Sequence, residues 1–394
     1  MHGGTLVLPG TNLAGLSLAG GELRHSLLHG CNLRGANLAG ANLAGSDIGD
    51  ADLTDASLVD ADLANSNLAG STLTGANLTG ANLIGANLTG ATLSRATLPS
   101  RLHGTAFLRG ANLRGQNFSR RTLRNCDLSD CDLCACDLSG ASLSGSNLSG
   151  ANLTGATLPA ELQGTAFLRG ANLQGQNLSH RDLRGCDLSD CNLTAANLAR
   201  SSLTRANLSR ANLSGANLTD TTLPAELTVQ GTALLRGANL QGQNLAHRDL
   251  SGSDLSGCDL TGSNLTGTIL TDANLSGATL TGATLPAELP VQGTALLRGA
   301  NLQGLDLSDR DLSSCDLSDC DLSGANLTGI NLTGANLIGA SLTGATLPAG
   351  LQGTAFLRGA NLQGLNLAHR DLSGCDLSDC DLSDSDLSNC DISV

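Results

Sequence analysis

A leucine, or rarely another apolar residue, occupies every fifth position along almost the whole chain. The spacing is unbroken from Leu13 to Leu98. It resumes after five short interruptions, at Leu108, Leu168, Leu235, Leu297 and Leu357. There are 71 such positions, of which 68 are Leu, two are Ile and one is Phe. A helix repeats every ~3.6 residues and a strand every two, so neither keeps a period of five on one side. The chain must turn a corner every five residues, which predicts a solenoid repeat protein.

Each pentad combines its leucine with a fixed arrangement of small and polar residues. Calling the leucine position i, the residue at i−2 is usually small and the residue at i−1 is mostly Asn, Asp or Thr. Position i+1 is often Ser, Thr or Ala, and position i+2 is often Gly, as in Ala76-Asn77-Leu78-Thr79-Gly80. Positions i and i−2 are therefore predicted to face the interior, and Gly is suited to the corner because it tolerates backbone angles that a Cβ would penalise.

This pattern resembles that of the pentapeptide-repeat family over about residues 11–394. The resemblance implies an all-β fold, a right-handed quadrilateral β-helix with four pentads per coil and short Pro-containing loops. About 18 coils, each adding roughly 4.8 Å, would form a rod roughly 85 Å long. The resemblance also implies a bacterial protein.

The predicted organisation is one solenoid domain at residues 11–394 behind a lead-in at residues 1–10. Residues 11–98 form an uninterrupted part, and five longer modules follow, starting near residues 98, 158, 223, 285 and 347. The two extra residues in the third and fourth loops are expected to bulge outward and leave the coil phase unchanged. Loop leucines such as Leu102 are expected to cover an apolar residue next to the loop, Phe107 in the first. The alternative is an exposed apolar row that binds a partner.

Long polar residues occupy the inward i−2 position after each loop. Gln116, Gln176 and Gln243 come first, replaced by Leu305 and Leu365 in the later modules. One pentad later the residue is arginine, at Arg121, Arg181, Arg248, Arg310 and Arg370. Because an unpaired buried guanidinium is costly, we expect an Arg–Asp ladder. Its arginines would be Arg181, Arg248, Arg310 and Arg370, and its aspartates Asp187, Asp254, Asp316 and Asp376. A partner-binding row of arginines is the alternative.

The cysteines follow the repeat and show no metal-ligand spacing. Twelve of the thirteen lie at i−2, where they are predicted to be small buried hydrophobes with free thiols. Cys134 lies at i+1 and is predicted to face outward. Reduced thiols indicate the cytoplasm, and the sequence predicts neither a secretory signal nor a membrane span. No metal site and no cofactor are predicted.

The net charge of −14 is concentrated in part of the chain. Residues 371–394 contain seven Asp and no Arg. A candidate acidic patch for binding a basic partner is formed by Asp371, Asp376, Asp379, Asp381, Asp384 and Asp386. The alternative is that like charges on a last coil with an open edge discourage end-to-end stacking.

The function predicted first is a structural or protein-interaction scaffold rod without catalytic activity. The sequence shows no set of nucleophile and base and no phosphate-binding loop, and a convex solenoid offers no enclosed pocket. The expected partner is a basic protein, with no membrane association and no direct nucleic-acid binding. Ice binding through outward Thr ranks is a weaker alternative, because other residues interrupt the ranks.

Some members of the family protect DNA gyrase by resembling B-DNA. This implies a second function, a DNA mimic that binds and inhibits gyrase or a related topoisomerase. B-DNA carries about one charge per 1.7 Å, so a rod of roughly 85 Å would need about 50 negative charges. The net charge of this chain is only −14, which favours the scaffold.

Overall fold

The structure is a computed structural model of the 394-residue chain. It describes residues 5–100, 102, 106–160, 162, 166–224, 235–286, 297–348 and 355–392. The described residues contain six two-residue strands, namely β1 (Ala86–Asn87), β2 (Ala106–Phe107), β3 (Ser146–Asn147), β4 (Ala166–Phe167), β5 (Ala335–Asn336) and β6 (Ala355–Phe356). They form the parallel pairs β1–β2, β3–β4 and β5–β6, and the two strands of each pair lie on either side of a loop.

Single parallel bridges between residues 20 positions apart hold the rest of the chain together. Asn12 pairs with Asn32, which pairs in turn with Asp52. Twenty residues are four pentads, and we call each such stretch a coil. Pairing already begins at Val7, which bridges to Leu27. The boundary between the lead-in and the solenoid at residue 10 stays a prediction.

The third and fourth loops lengthen a coil without changing its phase. The bridges that span them join Asn217 to Asn239 and Thr279 to Asn301, an offset of 22 residues instead of 20. The residues that follow pair at the normal offset, as Asn239 does with Asp259. This confirms that the two extra residues belong to the loop.

The pentad satisfies its backbone N–H groups in a regular way. Asn32 donates to the carbonyl oxygen of Thr11 in the coil before it, and Leu33 donates to that of Asp52 in the coil after it. The N–H of Arg34 has no such neighbour and donates to Oδ1 of Asn32 at 3.2 Å. The frequent Asn or Asp at i−1 is thus explained, because its side chain supplies an acceptor for a main-chain donor.

Leucines at i and small residues at i−2 form the core, as the repeat predicts. Leu33, Leu113 and Leu260 are fully buried, together with nearly all of their equivalents. A cavity of only ≈ 10 Å³ remains among the leucines between Leu265 and Leu312, enough for about one water at most. The leucine positions of the first and last described coils are more exposed.

The corner at i+2 lies in the left-handed region of backbone space. Gly80 has a φ of 71°, and Asp60, one coil earlier, has a φ of 55°. The carboxylate of Asp60 lies over Gly80, so a Cβ at residue 80 would overlap its Oδ1. Glycine at residue 80 therefore meets two requirements, the positive φ and the space that Asp60 occupies.

The chain divides into two compact units. Unit 1 consists of Met1–Gln176, Arg181–Asn192 and Leu203–Leu208. Unit 2 consists of Asn177–His180, Leu193–Ser202 and Ser209–Val394. Each unit has the pairing and the core described above, and the single domain at residues 11–394 stays a prediction.

Candidate interaction surfaces

The five arginines that follow the loops donate to carbonyl oxygens at the start of the loop. Arg121 Nη1 lies 3.0 Å from the carbonyl oxygen of Pro99 and 3.4 Å from that of Leu98. Arg181 donates to the equivalent carbonyls of Pro159 and Leu158. In the remaining modules Arg248, Arg310 and Arg370 donate to Pro224, Pro286 and Pro348. All five arginines are partly buried.

The Arg–Asp ladder at Arg181, Arg248, Arg310 and Arg370 stays a prediction, since these contacts are with carbonyl oxygens. The structure gives each of these guanidinium groups a carbonyl acceptor at the point where the chain leaves its coil. A guanidinium has five N–H donors, so one side chain can satisfy the two carbonyls of a Leu-Pro pair. Burial lowers the pKa of Arg181, Arg248 and Arg310 through desolvation of the charged form.

Other arginines near the loops form ion pairs with aspartates. Arg109, at i+1 after the first loop, places Nε 3.2 Å from Oδ2 of Asp130 in the next coil. The same pairing recurs as Arg169–Asp190, Arg298–Asp319 and Arg358–Asp379. These pairs are exposed, so each contributes little to stability.

The glutamines at i−2 also bind main-chain carbonyls. Gln116 Nε2 lies 2.7 Å from the carbonyl oxygen of Leu93 and 3.0 Å from that of Ala96. Gln243 donates to Leu218 at 2.7 Å. All three glutamines are buried, and so are Leu305 and Leu365, which replace them in later modules. The site accepts either a hydrogen-bonded amide or an apolar side chain.

Leu102 lies in the core, whereas Phe107 is 58% exposed. The carbonyl of Leu102 accepts a hydrogen bond from Cys126 Sγ at 3.3 Å. In a regular pentad the central leucine makes this contact, as Leu108 does with Cys131. Leu102 therefore takes the place of a central leucine. The expected cover of Phe107 by Leu102 is therefore wrong for the first loop. Leu227, Leu289 and Leu351 lie outside the described residues, as do the side chains of Phe167 and Phe356.

The aspartates of the predicted acidic patch are exposed, except for the partly buried Asp371. Hydrogen bonds from Ser378 and Ser383 lower the pKa of Asp376 and Asp381, and Ser388 does the same for Asp386. Asp379 Oδ2 lies 3.2 Å from Arg358 Nε. Asp376, Asp381 and Asp386 are therefore ionised at neutral and mildly acidic pH.

All thirteen cysteines are free thiols. Eight of the twelve at i−2 are buried, whereas Cys315, Cys375, Cys380 and Cys390 are partly buried, as is Cys134. A role that the sequence prediction missed is hydrogen bonding, since Cys131 Sγ lies 2.9 Å from the carbonyl oxygen of Leu108. Ser46 and Thr221 bind the equivalent leucine carbonyls. The interchange of Cys with Ser and Thr at i−2 was the available signal.

Metal-binding clusters and membrane-spanning helices are both absent from the described residues. No three His, Cys, Asp or Glu side chains there are grouped so that they could hold a metal ion. In the same part of the chain, no helix has the length and apolar character needed to cross a membrane.

Parallel bridges every 20 residues and a buried leucine every fifth residue define a pentapeptide-repeat solenoid. The family model described as Pentapeptide repeats (8 copies) matches residues 22–55, 56–95, 106–133, 126–158, 166–193, 186–223, 233–272, 249–285, 311–347 and 356–393. The chain belongs to the pentapeptide-repeat family.

Three solved structures illustrate the likeness. HetL, involved in heterocyst differentiation regulation in the cyanobacterium Nostoc sp., is 28% identical over 71% of this chain and 92% of its own, with a TM-score of 0.25. QnrB1, a plasmid-mediated fluoroquinolone resistance protein, is 23% identical over 48% of this chain and 91% of its own, with a TM-score of 0.26. A protein of the Arabidopsis thaliana thylakoid lumen is 34% identical over 29% and 70%, with a TM-score of 0.13. No match was found among curated proteins. The assignment rests on the repeat itself.

Proposed function

We propose that the protein is a non-enzymatic structural or protein-interaction scaffold that binds a basic protein partner. The observation that carries the proposal is the set of exposed aspartates at i−1, namely Asp376, Asp381 and Asp386. Their Oδ1 atoms accept hydrogen bonds within the pentad, as in Asp376 and Asp381. The pairing fixes their spacing, because Asn361 bridges to Asp381 and Asn366 to Asp386. A fixed array of ionised carboxylates attracts a complementary positive surface.

We further propose a right-handed quadrilateral β-helix of about 18 coils, formed by one domain at residues 11–394. The 20-residue pairing offset supports four pentads per coil. We also propose a cytoplasmic location, which the thirteen free thiols support.

The test is a pull-down from the native host with the wild-type protein and with the triple variant Asp376→Asn, Asp381→Asn, Asp386→Asn. Asn at i−1 is a standard residue of this repeat and its Oδ1 accepts the same hydrogen bond, as Asn32 shows. The variant therefore removes three charges and keeps the turn. We expect proteins retained by the wild type to be lost from this variant.

A matched control removes three charges elsewhere at i−1, in the variant Asp47→Asn, Asp52→Asn, Asp62→Asn. These three carboxylates make the same contact with the residue two positions later. The control variant should retain the partner. If both variants retain the same proteins as the wild type, the acidic patch is not the binding surface, and the proposal that it binds a basic partner is wrong.

The alternative is a DNA mimic that binds gyrase or a related topoisomerase. The ionised carboxylates of Asp376, Asp381 and Asp386 support this alternative for the end of the chain that contains them, because a topoisomerase presents a positive surface to DNA. Inhibition of gyrase supercoiling by the wild type, reduced in the variant Asp376→Asn, Asp381→Asn, Asp386→Asn, would establish it. No inhibition at tens of micromolar protein would exclude it.

A further inference from the structure

Phe107 lies where the neighbouring coils carry Asn or Asp. It pairs with Asn87 in the coil before it and with Asp127 in the coil after it. Neighbouring chain segments in such pairing lie about 4.8 Å apart. Phe107 is 58% exposed, so an aromatic ring accessible to solvent lies between an amide and a carboxylate.

A surface groove of ≈ 550 Å³ adjoins this ring. It is lined by Asn65, Asn67, Asn87, Phe107, Arg109 and Asp127, among others. The guanidinium of Arg109 is engaged by Asp130 at 3.2 Å. The carboxylates of Asp127 and Asp130 and this single guanidinium give a local net charge of −1. The groove thus combines an aromatic face with an excess of negative charge.

Asp127 has one oxygen available to a ligand. Its hydrogen bonds from the N–H and the hydroxyl of Ser129, at 3.1 and 2.6 Å, both end on Oδ1. The amide of Asn147 also donates to Oδ1, at 3.4 Å. Among the described residues, none of the hydrogen bonds to Asp127 ends on Oδ2. The turn thus fixes the carboxylate and leaves Oδ2 for an external donor.

In the sequence of each module an apolar residue precedes the same aspartate by 20 positions, and this residue is aromatic in three of the five modules. In chain order the equivalent pairs are Phe107 and Asp127, Phe167 and Asp187, Leu234 and Asp254, Leu296 and Asp316, and Phe356 and Asp376. Strands β3 and β4 have the register of β1 and β2, with Asn147 opposite Phe167. Phe107 and Phe167 both lie in unit 1. Their backbone positions are three coils apart, which is about 14 Å in the direction in which the coils stack. An extended peptide covers about 14 Å in four residues.

We propose that the groove at Phe107 binds an arginine side chain of an extended basic polypeptide. The guanidinium plane stacks on the ring of Phe107 and donates to Oδ2 of Asp127. A second arginine, four residues away, reaches the equivalent backbone position three coils further on, which Asp187 follows. Arginine is favoured over lysine because its planar group can stack and donate at the same time. The inference rests on the proposed function, since it specifies the chemistry of the basic partner.

The experiment measures fluorescence anisotropy of a labelled Gly/Ser peptide that carries two arginines four residues apart. The full chain is compared with the variants Phe107→Leu and Asp127→Asn. Both substitutions suit the fold, because Leu occupies the equivalent site at Leu234 and Leu296 and Asn is common at i−1. Each variant is expected to bind about fivefold more weakly. Replacing both arginines of the peptide by lysine should also weaken binding.

The variant Asp52→Asn, Asp62→Asn serves as the charge control and should bind the peptide as the wild type does, because neither residue lines the groove and Asn at i−1 keeps the turn contact. If it weakens binding as much as Asp127→Asn, while Phe107→Leu has no effect, the peptide is held by charge alone and the inference is overturned. Absence of peptide binding at low salt also overturns it. In either case, loss of a host partner from the variant Asp376→Asn, Asp381→Asn, Asp386→Asn would still support the proposed function.

Discussion

Nη1 of Arg121 and the carbonyl oxygen of Pro99 lie 3.0 Å apart, across 22 residues of sequence. The contact fastens the beginning of the first loop to the coil that follows it. Equivalent contacts occur in all five modules, whether the loop is of the shorter or the longer kind. The arginine therefore holds the start of the loop in place, although several pentads separate the two in the sequence.

Replacement of Arg121 by Met should destabilise the protein. The apolar part of the side chain is kept, but the carbonyls of Leu98 and Pro99 lose their donor. We expect a loss of about 1–3 kcal/mol in the free energy of unfolding, measured by urea denaturation. Arg124→Met is the matched control, because Arg124 is exposed at i+1 of the same pentad. Equal stability of the two variants would contradict a stabilising role for the contact.

Gly80→Ala should be more destabilising than Gly90→Ala. Both glycines have positive φ, 71° and 69°, so both substitutions carry a backbone cost of about 1 kcal/mol. Only at residue 80 does the new methyl group also meet a carboxylate, that of Asp60, whereas nothing lies within 4 Å at residue 90. Thermal unfolding measures the difference, and adding Asp60→Gly to Gly80→Ala should remove it. A double variant no more stable than Gly80→Ala would show that Asp60 is not the obstacle.

Much of the fold can be predicted from the sequence, because the spacing of the apolar side chains shows directly which positions are buried. The fifth-residue leucines predict the core, and the excess of two residues in the loops containing Pro224 and Pro286 predicts the 22-residue offsets. Leu102 could not be placed in the same way, since it occupies a core position one residue out of the period. A prediction based on the five-residue period assigns such a residue to the loop.

The candidate sites were less predictable because their acceptors lie on the backbone. The acceptors of Arg181 are the carbonyl oxygens of Leu158 and Pro159, and a carbonyl oxygen is present at every residue. The sequence therefore suggested the only visible partners, aspartate side chains. The sequence shows Phe107 as an apolar residue at an outward position, but its position beside Asp127 depends on the coil offset across the loop.

Ser253→Ala should stabilise the protein. The hydroxyl of Ser253 is buried and has no hydrogen-bond partner among the described residues, and Ala is the common residue at i−2. We expect a gain of about 1 kcal/mol in the free energy of unfolding. Ser146→Ala is the opposite case, because Ser146 Oγ donates to the carbonyl oxygen of Leu123, and it should lower stability. Chemical denaturation of both variants measures the contrast, and changes of the same sign would contradict it.

The buried cysteines should resist alkylation in the folded protein. Burial raises the pKa of Cys131 to about 12 and that of Cys136 to about 11, so the reactive thiolate is scarce at pH 8. Cys134, between them in the sequence, is only partly buried. Peptide mapping after iodoacetamide treatment should show Cys134 labelled first and the other two only after denaturation. Equal labelling of all three without denaturant would mean that the core opens readily.

Acidification should destabilise the protein through the aspartates at i−1. Hydrogen bonds from Ser308 and Ser313 lower the pKa of Asp306 and Asp311. A group whose pKa is lower in the folded state stabilises the fold above its unfolded pKa, about 3.9 for Asp, and this contribution is lost as the pH falls through the folded value. The thermal midpoint should therefore be steady above about pH 5 and fall below about pH 4. The variant Asp306→Asn, Asp311→Asn keeps the hydrogen-bond acceptors but cannot titrate. Calorimetry should therefore show a smaller fall in its thermal midpoint at low pH. If the midpoints of the variant and the wild type fall in parallel, these aspartates are not the origin of the acid sensitivity.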